Sequence, residues 1–111
     1  MNCERKILYF RDYFMSFYRS LDGGAQKKFD YSLAMLKMQE RLSKKFVKLI
    51  RDGIYELRAE HNGNIYRAFF IFDEGNVVML FNGFQKKTQK TPESEIQKAI
   101  QIKKEYYESK Q

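Results

Sequence analysis

Asn62-Gly63 constrains this chain more than any other pair of residues. Both residues tolerate positive φ, which a two-residue type I′ turn requires. The flanking segments IYELRAE and IYRAFFIFD are rich in β-branched and aromatic residues, the composition of strands. A two-residue loop then leaves one register. His61 faces Asn64, Glu60 faces Ile65, and Arg58 faces Arg67. A third strand, VVMLFNGF, follows a turn at Glu74-Gly75. Read as a second two-residue loop, that turn sets Asp73 opposite Asn76 and Arg67 opposite Asn82.

Alternation along the strands sorts their side chains. One face carries Tyr55, Leu57, Ala59, Tyr66, Ala68, Phe70, Phe72, Val77, Met79 and Phe81, and is expected to pack on the helices. The other carries Glu56, Arg58, Glu60, Arg67 and Asn82 at one end, with Phe69, Ile71, Val78 and Leu80 further along. Arg58 and Arg67 are thus direct cross-strand neighbours, an arrangement that costs up to roughly 1 kcal/mol. Two things can offset it. Glu56 and Glu60, the diagonal neighbours, can form a salt-bridge network. A bound phosphate can also be received by the pair, which suits the bidentate arginine fork.

The segment GFQKKTQKTPESEI leaves the third strand at the same end. It hangs Lys86, Lys87 and Lys90 over the two arginines, so five cations are expected on one rim of the sheet. Such a cleft suits an RNA backbone. The whole chain agrees in sign: 21 Lys and Arg against 14 Asp and Glu give a net charge of +7, which favours an anionic partner.

The remaining elements are read from period and punctuation. KILYF is a first strand or the start of a helix. RDYFMSFYRSL has apolar residues at helical spacing, and Asp22-Gly23-Gly24 stops it. Residues 25–50 read as one long or broken helix, with a basic face of Lys37, Arg41, Lys44, Lys48 and Arg51. Asp52-Gly53 ends it. Thr91 as N-cap, Pro92 at the first helical position, then Glu93 and Glu95, begin a last helix. Ile96, Ala99, Ile100 and Tyr107 form its buried stripe. The expected fold class is α+β: one domain over residues 1–111, in the order (β)ααβββα, an antiparallel sheet with helices packed on one face. A length of 111 residues, 43% of them apolar, suits one core and not two.

Several chemistries find no motif. Cys3 is the sole cysteine, so no intrachain disulfide or Cys-rich metal site is expected. There is no P-loop, GxGxxG, nucleophile elbow or metal-ligand spacing, and no cofactor is expected. No apolar run approaches ~20 residues and no cleavable leader is evident, so a cytoplasmic protein is expected. His61, the single histidine, is read as a turn residue and not an acid–base group. Phe84 and Tyr13 are the two aromatics considered for stacking on a base.

IYELRAEHNGNIYRAFFIF and NGFQKKTQKTPESEIQKA together resemble the HigB-like branch of the RelE/ParE superfamily of bacterial toxins. The resemblance spans Gly53 to about Lys103 and rests on the ELR, the YR and the GFxKKTxKTPxxEIxxA pattern taken together. It implies a small α+β domain acting as the toxin of a type II toxin–antitoxin pair. Many relatives are endoribonucleases that cleave mRNA in the ribosomal A site without a metal. In that reaction the 2′-hydroxyl attacks the adjacent phosphate, leaving a 2′,3′-cyclic phosphate and a 5′-hydroxyl. Carried over, Arg67 matches the arginine of the YR strand. Lys86 or Lys87 matches the basic residue after the last strand, with Lys90 close by. The resemblance therefore implies Arg67, Lys86, Lys87 and Lys90 as catalytic, and Arg58, Lys86, Lys90 and Asn82 as RNA- or phosphate-binding. Tyr106 or Tyr107 would stand for the family's tyrosine, and no residue is assigned as general base. Implied partners are mRNA on the ribosome and a cognate antitoxin, for which a HigA-like helix-turn-helix protein is a candidate. A ParE-like gyrase inhibitor and a non-catalytic basic binding module are the alternatives.

Overall fold

The computed structural model describes residues 4–111, so Cys3 lies outside the described residues. The elements are β1 (Lys6–Tyr9), α1 (Tyr13–Arg19), α2 (Gly23–Met38), β2 (Val47–Arg51), β3 (Ile54–His61), β4 (Asn64–Asp73), β5 (Val77–Lys86) and α3 (Glu93–Ser109). The class is α+β. The strands form one sheet in the order β1-β5-β4-β3-β2.

The first hairpin obeys its turn. Asn62 and Gly63 take φ of 51° and 76°, and β3 pairs with β4 so that His61 faces Asn64 and Arg58 faces Arg67. The second turn does not. Asp73 pairs with Val77, not Asn76, because three residues, Glu74 to Asn76, make the loop. Asn76 takes a positive φ of 66°. Its side chain donates to the Glu4 carbonyl, and its own carbonyl accepts from the Lys6 amide. The turn therefore also secures the start of β1, which runs parallel to β5. The sheet is mixed and not purely antiparallel.

Beyond this loop β5 carries a bulge. Phe70 pairs with Leu80 but Ala68 pairs with Gly83, so Phe69 stands against both Phe81 and Asn82. Extra residues of this kind locally re-aim a strand. Between the loop and the bulge, the extra loop residue reverses the faces expected for β5. Val78 and Leu80 join Leu57, Ala59, Tyr66, Ala68 and Phe70 under α1 and α2. Met79 and Phe81 join Ile54, Phe69, Ile71 and Phe84 under α3.

Helices thus cover both faces of the sheet, not one. Gly83 leaves room for α1: a Cβ there would stand 2.2 Å from the Phe17 ring. The α3 stripe is Ile96, Ala99, Ile102 and Tyr106, displaced from the expected set at its C-terminal end, where Ile100 is half-buried and Tyr107 is exposed.

The largest departure lies in residues 39–51. The helix expected to continue to residue 50 ends at Met38, and Arg5 caps it by donating to the carbonyls of Leu36 and Gln39 at 2.8 and 2.5 Å. The next element is β2. Asp52 and Gly53, with φ of 53° and 73°, form a turn that folds β2 back on β3. Lys48 then faces Glu56. The five basic residues assigned to one helical face do not share an element.

Candidate functional site

At the end of the sheet near Asn62-Gly63, strands of both hairpins deliver cations to one face. Lys48 stands opposite Glu56, Arg58 opposite Arg67, Arg67 opposite Phe84, and Ile65 opposite Lys86. An open basin of about 780 Å³ collects Lys48, Arg58, Arg67, Lys86 and Lys87, with Glu60 the acid on its wall. Four of these cations were expected from the sequence. Lys48 was not, because its strand was read as helix.

The basin has a floor. Glu56 is 1% exposed, and its Oε1 lies 3.2 Å from Arg67 Nε and 3.4 Å from Arg58 Nε. Both contacts are ionic and poorly directed, since Glu56 Oε1 and the two Nε atoms lack an aligned hydrogen bond. Thr91 completes the carboxylate by donating to Glu56 Oε2 at 3.1 Å. Its hydroxyl is therefore not an N-cap, and Pro92 occupies that position without a side-chain cap. Through Thr91, Glu56 also ties the lysine-bearing loop to the sheet. The like-charge pair is offset as the salt-bridge reading requires, with Glu56 the acid in contact.

Arg67 is 4% exposed, and its Nη1 donates to the Tyr66 carbonyl at 2.9 Å. Burial lowers its pKa from the ordinary arginine value while Glu56 opposes that shift. Arg58 is more open, its side chain 28% exposed, and it donates to the Lys44 carbonyl at 3.2 Å. Burial also pushes the Lys86 ammonium below the ordinary lysine range, and the positive charge of Arg67 adds to the shift. Lys87 is exposed at the rim.

Two assigned residues stand elsewhere. Asn82 does not face Arg67. It sits in the bulge, 1% exposed, and donates to the carbonyl and Oε1 of Glu95 in α3 at 3.3 and 3.2 Å. Lys90 is exposed past the basin, and its carbonyl accepts from the Thr88 hydroxyl. The aromatics considered for stacking are occupied. Phe84 packs on Phe69 with centroids 5.2 Å apart, and Tyr13 donates to Glu105 at 3.0 Å. Tyr106 donates to Asp73 at the far end of β4, six residues beyond Arg67 and so roughly 20 Å along the strand. Tyr107 is its neighbour. Neither tyrosine reaches the basin. His61 lies against Gly24 of α2, where an added Cβ would stand 2.1 Å from its Nε2. That is the α2 side of the sheet, opposite the cations.

Five cations over a buried carboxylate can hold a phosphate and answer charge that develops on it. No curated protein gives a significant match to the chain. The family described as "Phage derived protein Gp49-like (DUF891)" matches residues 16–104, which takes in α2, the hairpins, and parts of α1 and α3. The chain therefore belongs to the phage-derived Gp49-like family, a family of RelE-like toxins.

Proposed function

We propose that this protein is the toxin of a type II toxin–antitoxin pair, of the HigB-like kind, and that it cleaves mRNA on the ribosome without a metal. The observation that carries this reading is the convergence of Lys48, Arg58, Arg67, Lys86 and Lys87 on one open basin over buried Glu56. A ligand for it must be anionic and extended.

The residues divide the work. Lys87 and Lys86 meet the scissile phosphate from the loop side, and Arg58 from the strand edge. Arg67, on the floor, supplies fixed positive potential more than a flexible contact. The 2′-hydroxyl loses its proton as its oxygen bonds to phosphorus, the P–O5′ bond breaks, and the departing 5′-oxygen takes up a proton. Charge on the pentacoordinate phosphate grows in that step, and preorganised cations stabilise it selectively. Lys86, half-buried beside Arg67 and with its pKa pushed below the ordinary lysine value, is the group assigned to accept the first proton, which it does from its neutral form, leaving Lys48, Arg58, Arg67 and Lys87 as the standing cations. Under the same reading an acidic antitoxin segment covers the basin, and its gene product copurifies with the toxin.

The test maps 5′ ends of a defined mRNA on translating ribosomes with wild-type protein and with Lys87→Ala. Lys87 is exposed, so the variant keeps its fold. New ends with wild type alone support the nuclease. Intact mRNA with arrested plasmid supercoiling would transfer the reading to gyrase inhibition.

A further inference from the structure

A second cleft adjoins the cation basin. It has a volume of about 440 Å³ and is lined by Lys28, Tyr31 and Ser32 of α2, Lys45, and Arg58 to Glu60 of β3, with Arg67 at its back. Lys28, Tyr31 and Ser32 are spaced i, i+3, i+4 and so share one helix face. Two contacts build the cleft. Ser32 donates to the Arg58 carbonyl at 2.9 Å, holding α2 to the strand. The Arg58 amide donates to the Phe46 carbonyl at 2.8 Å, bringing up the segment that carries Lys45.

Two features are left unused by the fold. Tyr31 is 56% exposed. Phe46 braces it from one side, with centroids 5.8 Å apart and planes tilted by 56°. Arg58 has its amide on Phe46 and its carbonyl on Ser32, but past Arg58 the outer edge of β3 pairs with no strand, because β2 pairs no further than Leu57. An unpaired edge offers backbone donors and acceptors. Arg58, Glu60 and Arg67 line both the cleft and the basin, so the two are one continuous surface around the strand edge.

We propose that this cleft is a nucleotide subsite, in which a base next to the scissile phosphate stacks on Tyr31 and its own phosphate lies between Lys28, Lys45 and Arg58. The proposal rests on the RNA reading given above. A free aromatic face beside cations is the combination that single-stranded nucleic acid uses. The volume suits one small organic group. A helical protein segment fits less well, since such a segment needs several apolar anchors, and only Tyr31 and Ala59 offer apolar surface here.

The test measures binding of the full chain to a 2′-O-methyl hexanucleotide, which cannot be cleaved, and to versions with one abasic position moved along it. Wild type, Tyr31→Phe and Tyr31→Ala are compared. Loss of a stacked base costs roughly 5- to 100-fold in affinity. One abasic position is expected to weaken wild type and Tyr31→Phe by that factor, and to leave Tyr31→Ala, already weakened, unchanged. Binding by Tyr31→Ala within about twofold of wild type would overturn the subsite. So would abasic penalties that persist in that variant, or binding of an acidic peptide at Tyr31 where no oligonucleotide binds. The binding comparison decides the subsite whatever the ribosome map shows, and failure of the nuclease reading would appear in that map alone.

Discussion

Glu56→Gln keeps the shape of the buried side chain and removes its charge. In the protein, that charge lies 3.2 and 3.4 Å from two arginine Nε atoms that face each other across the hairpin. Removing one partner of a buried ion pair costs ~3–5 kcal/mol. The low end applies, because the Arg58 side chain is 28% exposed and water shares its charge. A loss of ~3 kcal/mol in a domain of this size lowers Tm by about 10–15 °C. Thermal melts of wild type, Glu56→Gln, Arg67→Met and the double variant give the coupling directly. With Arg67 gone, Glu56 has only the half-open Arg58 to neutralise, and its loss is expected to cost ~1 kcal/mol. If Glu56→Gln costs under ~1 kcal/mol in the wild-type background, or the same in both, Glu56 is not the counterion of the arginine pair.

Other expectations rest on single residues. The Lys86 pKa is held below its ordinary value of 10.5, first by burial, so the folded state disfavours the charged form. Stability therefore rises as pH climbs from the folded-state pKa to 10.5, and Lys86→Met is more stable than wild type at neutral pH, with a gap that narrows in melts toward pH 10. Asp73 is held at about 2 by hydrogen bonds from Tyr106 and Lys110. Its stabilisation is complete above the unfolded value near 3.8 and fades as pH falls toward 2. Asp73→Asn is accordingly less stable at pH 7 but loses less on acidification, which urea midpoints across that window would measure. Gly83→Ala drives a Cβ to 2.2 Å from Phe17 and is expected to cost ~1–3 kcal/mol by overpacking. An unchanged Tm would mean that α1 can slide.

The sequence is most legible where a dipeptide dictates backbone geometry. Asn62-Gly63 determines a register, and with it the opposition of Arg58 and Arg67. Asp52-Gly53 carries the same signal for the β2–β3 turn but reads equally well as a helix stop. Phe46, Leu49 and Ile50 fit the helical period, and a five-residue strand is too short to contradict it. Lys48 is for that reason read as part of a helical basic face and not as a neighbour of the arginines. The run VVMLF is apolar at every position, so its pattern does not say which face is which, and nothing in it exposes the third loop residue. Thr91 is a legible N-cap by local rule, yet a buried carboxylate distant in sequence claims its hydroxyl. Pairings of that kind, like the seat of Asn82 on Glu95, depend on tertiary neighbours and leave no local trace.

The extra residue in the β4–β5 turn and the extra residue in the β5 bulge act on parity. Each alone exchanges the two sides of the strand downstream of it; together they cancel. Hence Lys86 emerges on the side of Arg67, as a simple hairpin would have put it, while the residues nearest the turn are inverted. A change of one residue in this connection is therefore a frameshift in space, sending the lysine toward α1 unless a second change restores the count. Accessibility of a thiol in Lys86→Cys, measured with the turn shortened by one residue, would show which side it faces. In this hairpin, loop length is part of the cationic surface's reading frame.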